Sequence, residues 1–484
     1  GIVMSASVRE KAFTQRFYLY LIMTKSAEKL YMSYAVKNSE GAALMPSYII
    51  RSMRKMFSHC LKLSYKDTAQ QNSYVTIPQA ANSFDNTEIA ANVDEDIIDS
   101  LTGGRLVGSV TSFENFAECP LRYYLRYGVD LKEREEFTFS PVNFGVVLHA
   151  VIREVCDEIK KNGESYYLIS EEKRREMVKR SVAAITDIYQ NSILKDSSRN
   201  AFMIKRMEDL ADRTVWAMGE QLKCGDFVPF VFEHKFNMEV GDGDRKQLMS
   251  GTIDRVDICE NGTDVYVRII DYKTGKKDFN IVKTYYGIDI QLMVYMEAAM
   301  KLVAKMRPGK NVIPAGVFYY NISDPIVSAT TESAEEIEDK IKGELRLKGM
   351  VNSDKDIAEK MDNTEGTSLN IPVSRKADGG FDSRRSKVMN TEQFNMLGRF
   401  VDVRAVDTAD RIAGGDIRRS PYKDGQFSSC DRCPYGAVCG FSVDLPGCNY
   451  RKLKKFDDEV LWNNIKEGVD ENGKKMDTGA EECD

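Results

Sequence analysis

Three histidines in 484 residues, His59, His149 and His234, are too few for a zinc enzyme built on imidazoles. Basic charge is not in excess either: 68 Lys and Arg stand against 74 Asp and Glu, a net charge of −6. No global positive field announces a nucleic-acid binder, so any polyanion site must be a local patch. No stretch reaches the roughly 18 consecutive apolar residues of a membrane helix. The opening GIVMSASVREKAF is charged too early for a secretory signal. No G-x4-G-K-[ST] word occurs, which excludes ATP binding by a P-loop. Ten cysteines, most of them isolated, do not make a secreted disulfide scaffold. Together these absences predict a cytoplasmic, reducing setting with no membrane contact.

What is present is a hydrophobic content of 42%, enough for a sizeable core. At about 100–200 residues per domain the length suggests two to four units. Residues 1–65 form a first block, read as a helix around Phe17 to Leu21 and a strand from Leu30 to Ala35. Residues 66–103 are polar and read as a linker. The main block, 104–460, opens with an amphipathic helix over Phe113 to Tyr127 and a second helix around Gly145 to Lys160. Helical periodicity continues over 165–222. Strand-like runs follow at Phe227 to Val240, Gln247 to Cys259 and Asp264 to Lys273. A helix from Tyr285 to Met306 and a strand from Val312 to Ile322 come next. This order predicts an α/β fold with a mixed central sheet flanked by helices. Residues 350–390 read as a flexible excursion, Thr391 to Ile412 as a helix, and 461–484 as an acidic, disordered tail.

The chemistry concentrates in GTIDRVDIC and VYVRIIDYKTGKK. Strand side chains alternate, so Val265, Val267, Ile269, Asp271 and Lys273 share one face, and Tyr266, Arg268, Ile270 and Tyr272 the other. If the two strands pair, Asp254 lies beside Asp271. Adjacent carboxylates repel unless a cation separates them. Hard oxygen donors favour Mg²⁺ or Mn²⁺ over Zn²⁺. Gln291 and Tyr295, four residues apart, share a helix face. Each piece alone also fits a bland reading: a solvated strand end, a core histidine at His149, an ordinary half-buried helix. His59 and His234 read as structural, and Glu233 as either a site residue or a strand-end charge.

Cys430, Cys433 and Cys439 form a C-x2-C-x5-C word that lets thiolates grip one metal centre. The fourth ligand is either nearby Cys448 or distant Cys119, and the spacing alone allows zinc as well as an iron–sulfur cluster. The remaining cysteines read as isolated thiols. Arg122, Arg126 and Lys132, interleaved with Tyr123, Tyr124 and Tyr127, are candidate contacts for single-stranded DNA. The same helical period also permits Tyr123 and Tyr127 to be core.

In combination, FGVVLHAVIREV, GTIDRVD, IIDYKTGKK and QLMVYM resemble, in order, the motifs of RecB-family PD-(D/E)xK nucleases. AECPLRYYLRYG and CDRCPYGAVCGF further resemble the AddB-type subunits of AddAB helicase–nucleases. By this resemblance His149, Asp254, Asp271 and the Tyr272 carbonyl bind Mg²⁺ and Lys273 is the catalytic lysine. Cys119, Cys430, Cys433 and Cys439 hold a [4Fe–4S] cluster that staples the nuclease domain. The resemblance also implies an AddA-type partner, a single-stranded DNA substrate, cutting of the strand ending 5′, and a role in double-strand-break repair. The word TKSAEKL resembles the last motif of superfamily 1 helicases. It departs from that motif at Lys25 and Ser26, where Arg and Ala are usual and nucleotide sensing would need them; the resemblance implies that residues 1–65 are the end of a helicase-like domain. A CRISPR-associated iron–sulfur exonuclease and a catalytically idle DNA-holding scaffold are the rival readings.

Overall fold

The computed structural model describes residues 8–25, 30, 32, 34–35, 43–57, 92–94, 97, 107–132, 141–188, 198–240, 247–328, 333–443 and 448–478. Two units divide the chain, Gly1–Asp85 and Asn86–Asp484. The first contains helices α1 (Val8–Thr24) and α2 (Tyr48–Met56), the latter capped by the Ser47 hydroxyl. Of the expected strand after α1, the described residues Leu30, Met32, Tyr34 and Ala35 are not in strand conformation, and the rest lies outside the described residues. His59 and most of the expected linker lie outside the described residues, but Asn92 bridges to Asp416.

The second unit begins with β1 (Val107–Ser109) and α3 (Val110–Glu118). The expected helix through Tyr127 is broken at Cys119, which is extended at φ −166° because Pro120 follows it. A short turn, Pro120–Tyr123, then widens into a π-helix, Tyr124–Gly128. Helices α4 (Pro141–Lys161), α5 (Glu171–Ile188) and α6 (Ser198–Lys223) come next. They are followed by β2 (Val228–Val240), β3 (Gln247–Asn261) and β4 (Asp264–Lys273). Helix α7 (Gln291–Met306) leads to β5 (Asn311–Asn321), β6 (Lys348–Asn352) and β7 (Val388–Met389). Helices α8 (Thr391–Ala413) and α9 (Asp458–Thr478) complete the core elements.

The seven-stranded sheet runs β1-β3-β4-β5-β6-β7, with β2 on the other edge of β3. It is mixed: β3–β4 is antiparallel and β4–β5 parallel. One face of β4 (Tyr266, Ile270, Tyr272) is buried with residues of α4, α5 and α6. The other (Val265, Val267, Ile269) is buried with α7 and α8. The strand is thus covered on both faces, and its near-continuous hydrophobic run is the signature of that position.

Two expected loose segments are ordered instead. Within 350–390, Ile371 and Val373 are buried, and Arg375 donates to the Thr364 and Ala358 carbonyls at 2.7 and 2.8 Å. Ser368 and Asn370 bond the buried Asp362 carboxylate at 2.7 and 3.1 Å. Polar side chains here satisfy irregular backbone, so a polar composition does not mean an unfolded one. The expected tail from 461 is largely α9, with Leu461 and Ile465 buried in the core. No helix among the described residues is long and apolar enough to cross a membrane.

Candidate active site

The β3–β4 ladder closes at Arg255↔Ile270. Beyond it β4 continues without β3, and β1 pairs only with Leu248–Ser250. The strands part where Asp254 and Asp271 stand, so both acids are held by rigid sheet while the ladder between them is open. Both are buried, at 8% and 2% exposure. Asp254 Oδ2 accepts the Tyr272 backbone N–H at 2.6 Å, which fixes the carboxylate.

Asp254 Oδ1 faces His149 Nδ1 on α4 at 3.5 Å, and Glu233 Oε1 on β2 reaches the same nitrogen at 3.6 Å. Potential ligand atoms of His149, Glu233 and Asp254 all lie within 4.8 Å of one another, the one such group among the described residues. Glu233 has φ +47°, a left-handed conformation uncommon for a residue with a side chain. Phe232 and His234 pair with Arg255 and Ile253, so Glu233 stands opposite Asp254. Burial opposes charge on His149, yet Asp254 and Glu233 outweigh it and raise the imidazole to about 10. Two carboxylates and an imidazole here present the donor set of a divalent cation.

Asp271 lies outside that triplet. Its Oδ2 pairs with Lys273 Nζ at 2.6 Å, and its Oδ1 accepts from Gln291 Nε2 at 3.0 Å. Burial and the neighbouring Asp254 charge push its carboxyl up to about 7, against the opposing pull of Lys273. Gln291 Oε1 accepts from Lys273 Nζ at 3.0 Å, and Gln291 Nε2 also donates to the Tyr295 hydroxyl at 2.9 Å. The Gln–Tyr pair therefore shares a helix face and points at the acid–lysine pair. The expected helix from Tyr285 begins only at Gln291; a short helix, Ile281–Tyr285, ends before Gly287 at φ +76°. The Tyr272 side chain turns to the opposite, α4-covered side, where its ring meets His149 edge-on at 5.9 Å.

Neighbouring this centre is a buried polar group that the sequence reading missed. Lys277 Nζ pairs with Asp289 Oδ1 at 3.0 Å, and the Tyr319 hydroxyl donates to the same oxygen at 2.6 Å. Glu114 joins them from α3. Glu114, Lys277 and Asp289 lie in three separate segments, and no local pattern in the sequence joins them.

Cys119, Cys430, Cys433 and Cys439 are brought together: Cys430 feels the charges of the other three, and burial raises its thiol. Cys448 is buried. Among the described residues no three cysteine sulfurs gather within 4.8 Å. Of the candidate DNA contacts, Arg122 is bound to Glu118 and largely buried. Arg126 lies 5.4 Å over the Tyr127 ring, and Lys132 pairs with Asp130 at 2.7 Å. Tyr123 packs edge-on against Phe116 at 5.5 Å, as a core position does, whereas Tyr127 is 38% exposed and is not core.

Comparisons with known proteins agree with this geometry. The model of the PD-(D/E)XK nuclease superfamily matches residues 108–440. The B-type subunit of the ATP-dependent helicase/deoxyribonuclease from Caldanaerobacter subterraneus is 31% identical over 99% of this chain and 46% of its own length. The namesake from Lachnoclostridium phytofermentans is likewise 31% identical over 99% of the chain and 46% of its own. That from Clostridium tetani is 31% identical over 95% and 45%. The chain thus spans about half the length of the curated relatives it matches. A matched region that contains every element of the parted-strand site places the chain in the PD-(D/E)XK nuclease superfamily, to which it belongs.

Proposed function

We propose that this chain is the nuclease-bearing portion of an AddAB-type helicase–nuclease subunit, hydrolysing single-stranded DNA with Mg²⁺ or Mn²⁺. The convergence of His149, Glu233 and Asp254 within 4.8 Å, beside the Asp271–Lys273–Gln291 cluster, is the observation that carries it. His149, Glu233 and Asp254 hold the cation, and Asp271 and the Tyr272 carbonyl complete its surroundings. When bound, such an ion polarises a phosphate oxygen and acidifies water. Lys273 holds a positive charge where charge develops on the phosphate. Gln291 locks Lys273 and Asp271 in register, and Tyr295 locks Gln291. Arg126 and Lys132 serve as phosphate contacts for the strand in this reading.

The four cysteines hold a [4Fe–4S] cluster in this reading. What supports this reading is the C-x2-C-x5-C word together with Cys119, whose thiol lies close enough to act on Cys430 and Cys439. Cys119 precedes strands β2 to β7 in the chain and its partners follow them, so the centre staples the nuclease unit. Residues 1–65 are the end of a helicase-like domain, the partner is an AddA-type chain, and the pathway is end resection in recombinational repair. Names of the relatives support this assembly.

Cleavage of end-labelled single-stranded and duplex DNA, with Mg²⁺ and with EDTA, tests the reaction. Mg²⁺-dependent loss of the single strand is expected, abolished in Asp271→Ala. Equal cleavage by that variant refutes the assignment. A broad visible absorbance that vanishes in Cys119→Ser is expected for the cysteine site; a colourless protein with stoichiometric zinc refutes the cluster.

A further inference from the structure

Helix α7 begins abruptly and without a cap of its own: Ile290, at the N-cap position, has no side-chain oxygen to offer the first turn. Had the helix run on from Tyr285, these amides would have found intrahelical acceptors. The break at Gly287 orphans them at the residue that locks the site. Their partner comes from a distant element. Glu114 Oε1, on α3, accepts the N–H of Ile290 at 2.9 Å and of Gln291 at 3.0 Å.

Helix α3 is itself tied at both ends, which makes Glu114 a rigid support. Its first turn is capped by Ser109 Oγ, which accepts the Ser112 N–H at 3.1 Å. At its far end the Arg451 guanidinium donates to the Ala117 carbonyl, and Leu121 N donates to Arg418 O at 3.3 Å. Burial raises the Glu114 carboxyl to about 7, partly offset by Lys277. Charged or neutral, the oxygen remains an acceptor, and the positive end of α7 favours it.

We propose that Glu114 is a positioning residue for the nuclease centre: it caps α7 from another helix and so sets the Gln291 amide against Asp271 and Lys273. Its kinetic consequence rests on the nuclease reading; its structural consequence does not. Without the cap the first turn of α7 frays, and Gln291 loses the geometry that bonds both partners at 3.0 Å. A displacement on the order of 1 Å is enough to slow a positioned reaction about a hundredfold.

Glu114→Ala and Glu114→Gln in this chain provide the test, read first by amide hydrogen exchange. In the alanine variant exchange at Ile290 and Gln291 should accelerate about tenfold, with α8 unchanged. The glutamine variant, whose carbonyl oxygen accepts the same two bonds, should stay near wild type. Unaltered exchange at these amides in the alanine variant overturns the proposal, whatever the nuclease assay gives. The second reading is single-turnover cleavage of labelled single-stranded DNA with Mg²⁺. Glutamate-to-alanine should slow it about 10- to 100-fold with DNA affinity in EDTA unchanged, and glutamine should restore it. Faster exchange with undiminished cleavage overturns the catalytic consequence. An inactive wild type whose alanine variant still exchanges faster refutes the nuclease reading and leaves the cap standing. If the alanine variant does not fold, Glu114→Asp, a carboxylate drawn back from the amides, carries both readings with the same criteria.

Discussion

Strands β3 and β4 build two clusters of buried charge, a few residues apart, with opposite characters. In the first, Asp257 is gripped by Arg255 through two bonds of 2.7 and 2.6 Å and by Arg268 through one of 2.9 Å. All three residues are at most 1% exposed. Burial works against the carboxylate, but the two guanidiniums win and hold it below its usual range. In the second, at the parted strand ends, Glu233, Asp254 and Asp271 pair with His149 and Lys273, and Lys277 acts on Asp271 from further off while paired to Asp289. There burial and like charge win, and Asp271 rises to about 7. The first cluster surrounds its single carboxylate with two guanidiniums and serves the fold. The second is short of positive charge and asks for an ion the chain does not itself supply.

Four measurements press on this contrast, in order of expected size. Asp254→Asn should cost about a thousandfold in Mg²⁺-dependent cleavage, the scale of losing electrostatic stabilisation at a reacting centre. Its denaturant midpoint should not fall, because an under-compensated acid has been removed. Asp257→Asn should do the reverse. Two buried guanidiniums lose their counter-charge, a cost of about 3–5 kcal/mol visible in urea unfolding. Equal destabilisation by the two substitutions would erase the distinction between the clusters. Cys119→Ser should loosen α3, raising exchange at Ile290 and Gln291 severalfold through Glu114, without touching the Asp257 triad. Undisturbed exchange there would separate the cysteine site from the nuclease centre.

The smallest effect concerns a third kind of carboxyl. Asp402 on α8 is raised to about 8 by burial and by a hydrogen bond with Glu297, with only Lys301 opposing. Its folded pKa lies above its unfolded value, so the stability it contributes is full below about pH 4. That contribution is lost as pH rises through about 8. Asp402→Asn should flatten the fall in stability over this window, by about 1 kcal/mol at pH 8. A profile identical to wild type would show that the pair is relieved by solvent.

Much of this site was legible in the chain. The alternation in β4 separates Asp271 and Lys273 from Tyr272, and both faces of that strand are indeed covered. Gln291 meets the lysine and Tyr295 meets Gln291, on one helix face as their spacing implies. Glu233 was left undecided because strand periodicity says nothing of a left-handed φ that brings a carboxylate to an imidazole. The triplet it completes excludes Asp271, which the family resemblance groups with His149. The order of the 350–390 segment is not legible in the sequence because it comes from polar side chains bonding backbone, a pattern with no period. The helix over 285–306 was begun too early because hydrophobic spacing continues across a break made by one glycine.

Sequence by itself determined the strand–strand–helix order, the facing of acid and lysine, and the cysteine spacing, because each is local and periodic. Tertiary structure alone decided which carboxylates converge on His149, that Asp257 is neutralised while Asp254 is not, and that α7 is capped from α3. Those outcomes depend on where strands part and which distant charges meet in a medium that screens them poorly, and no local period encodes that.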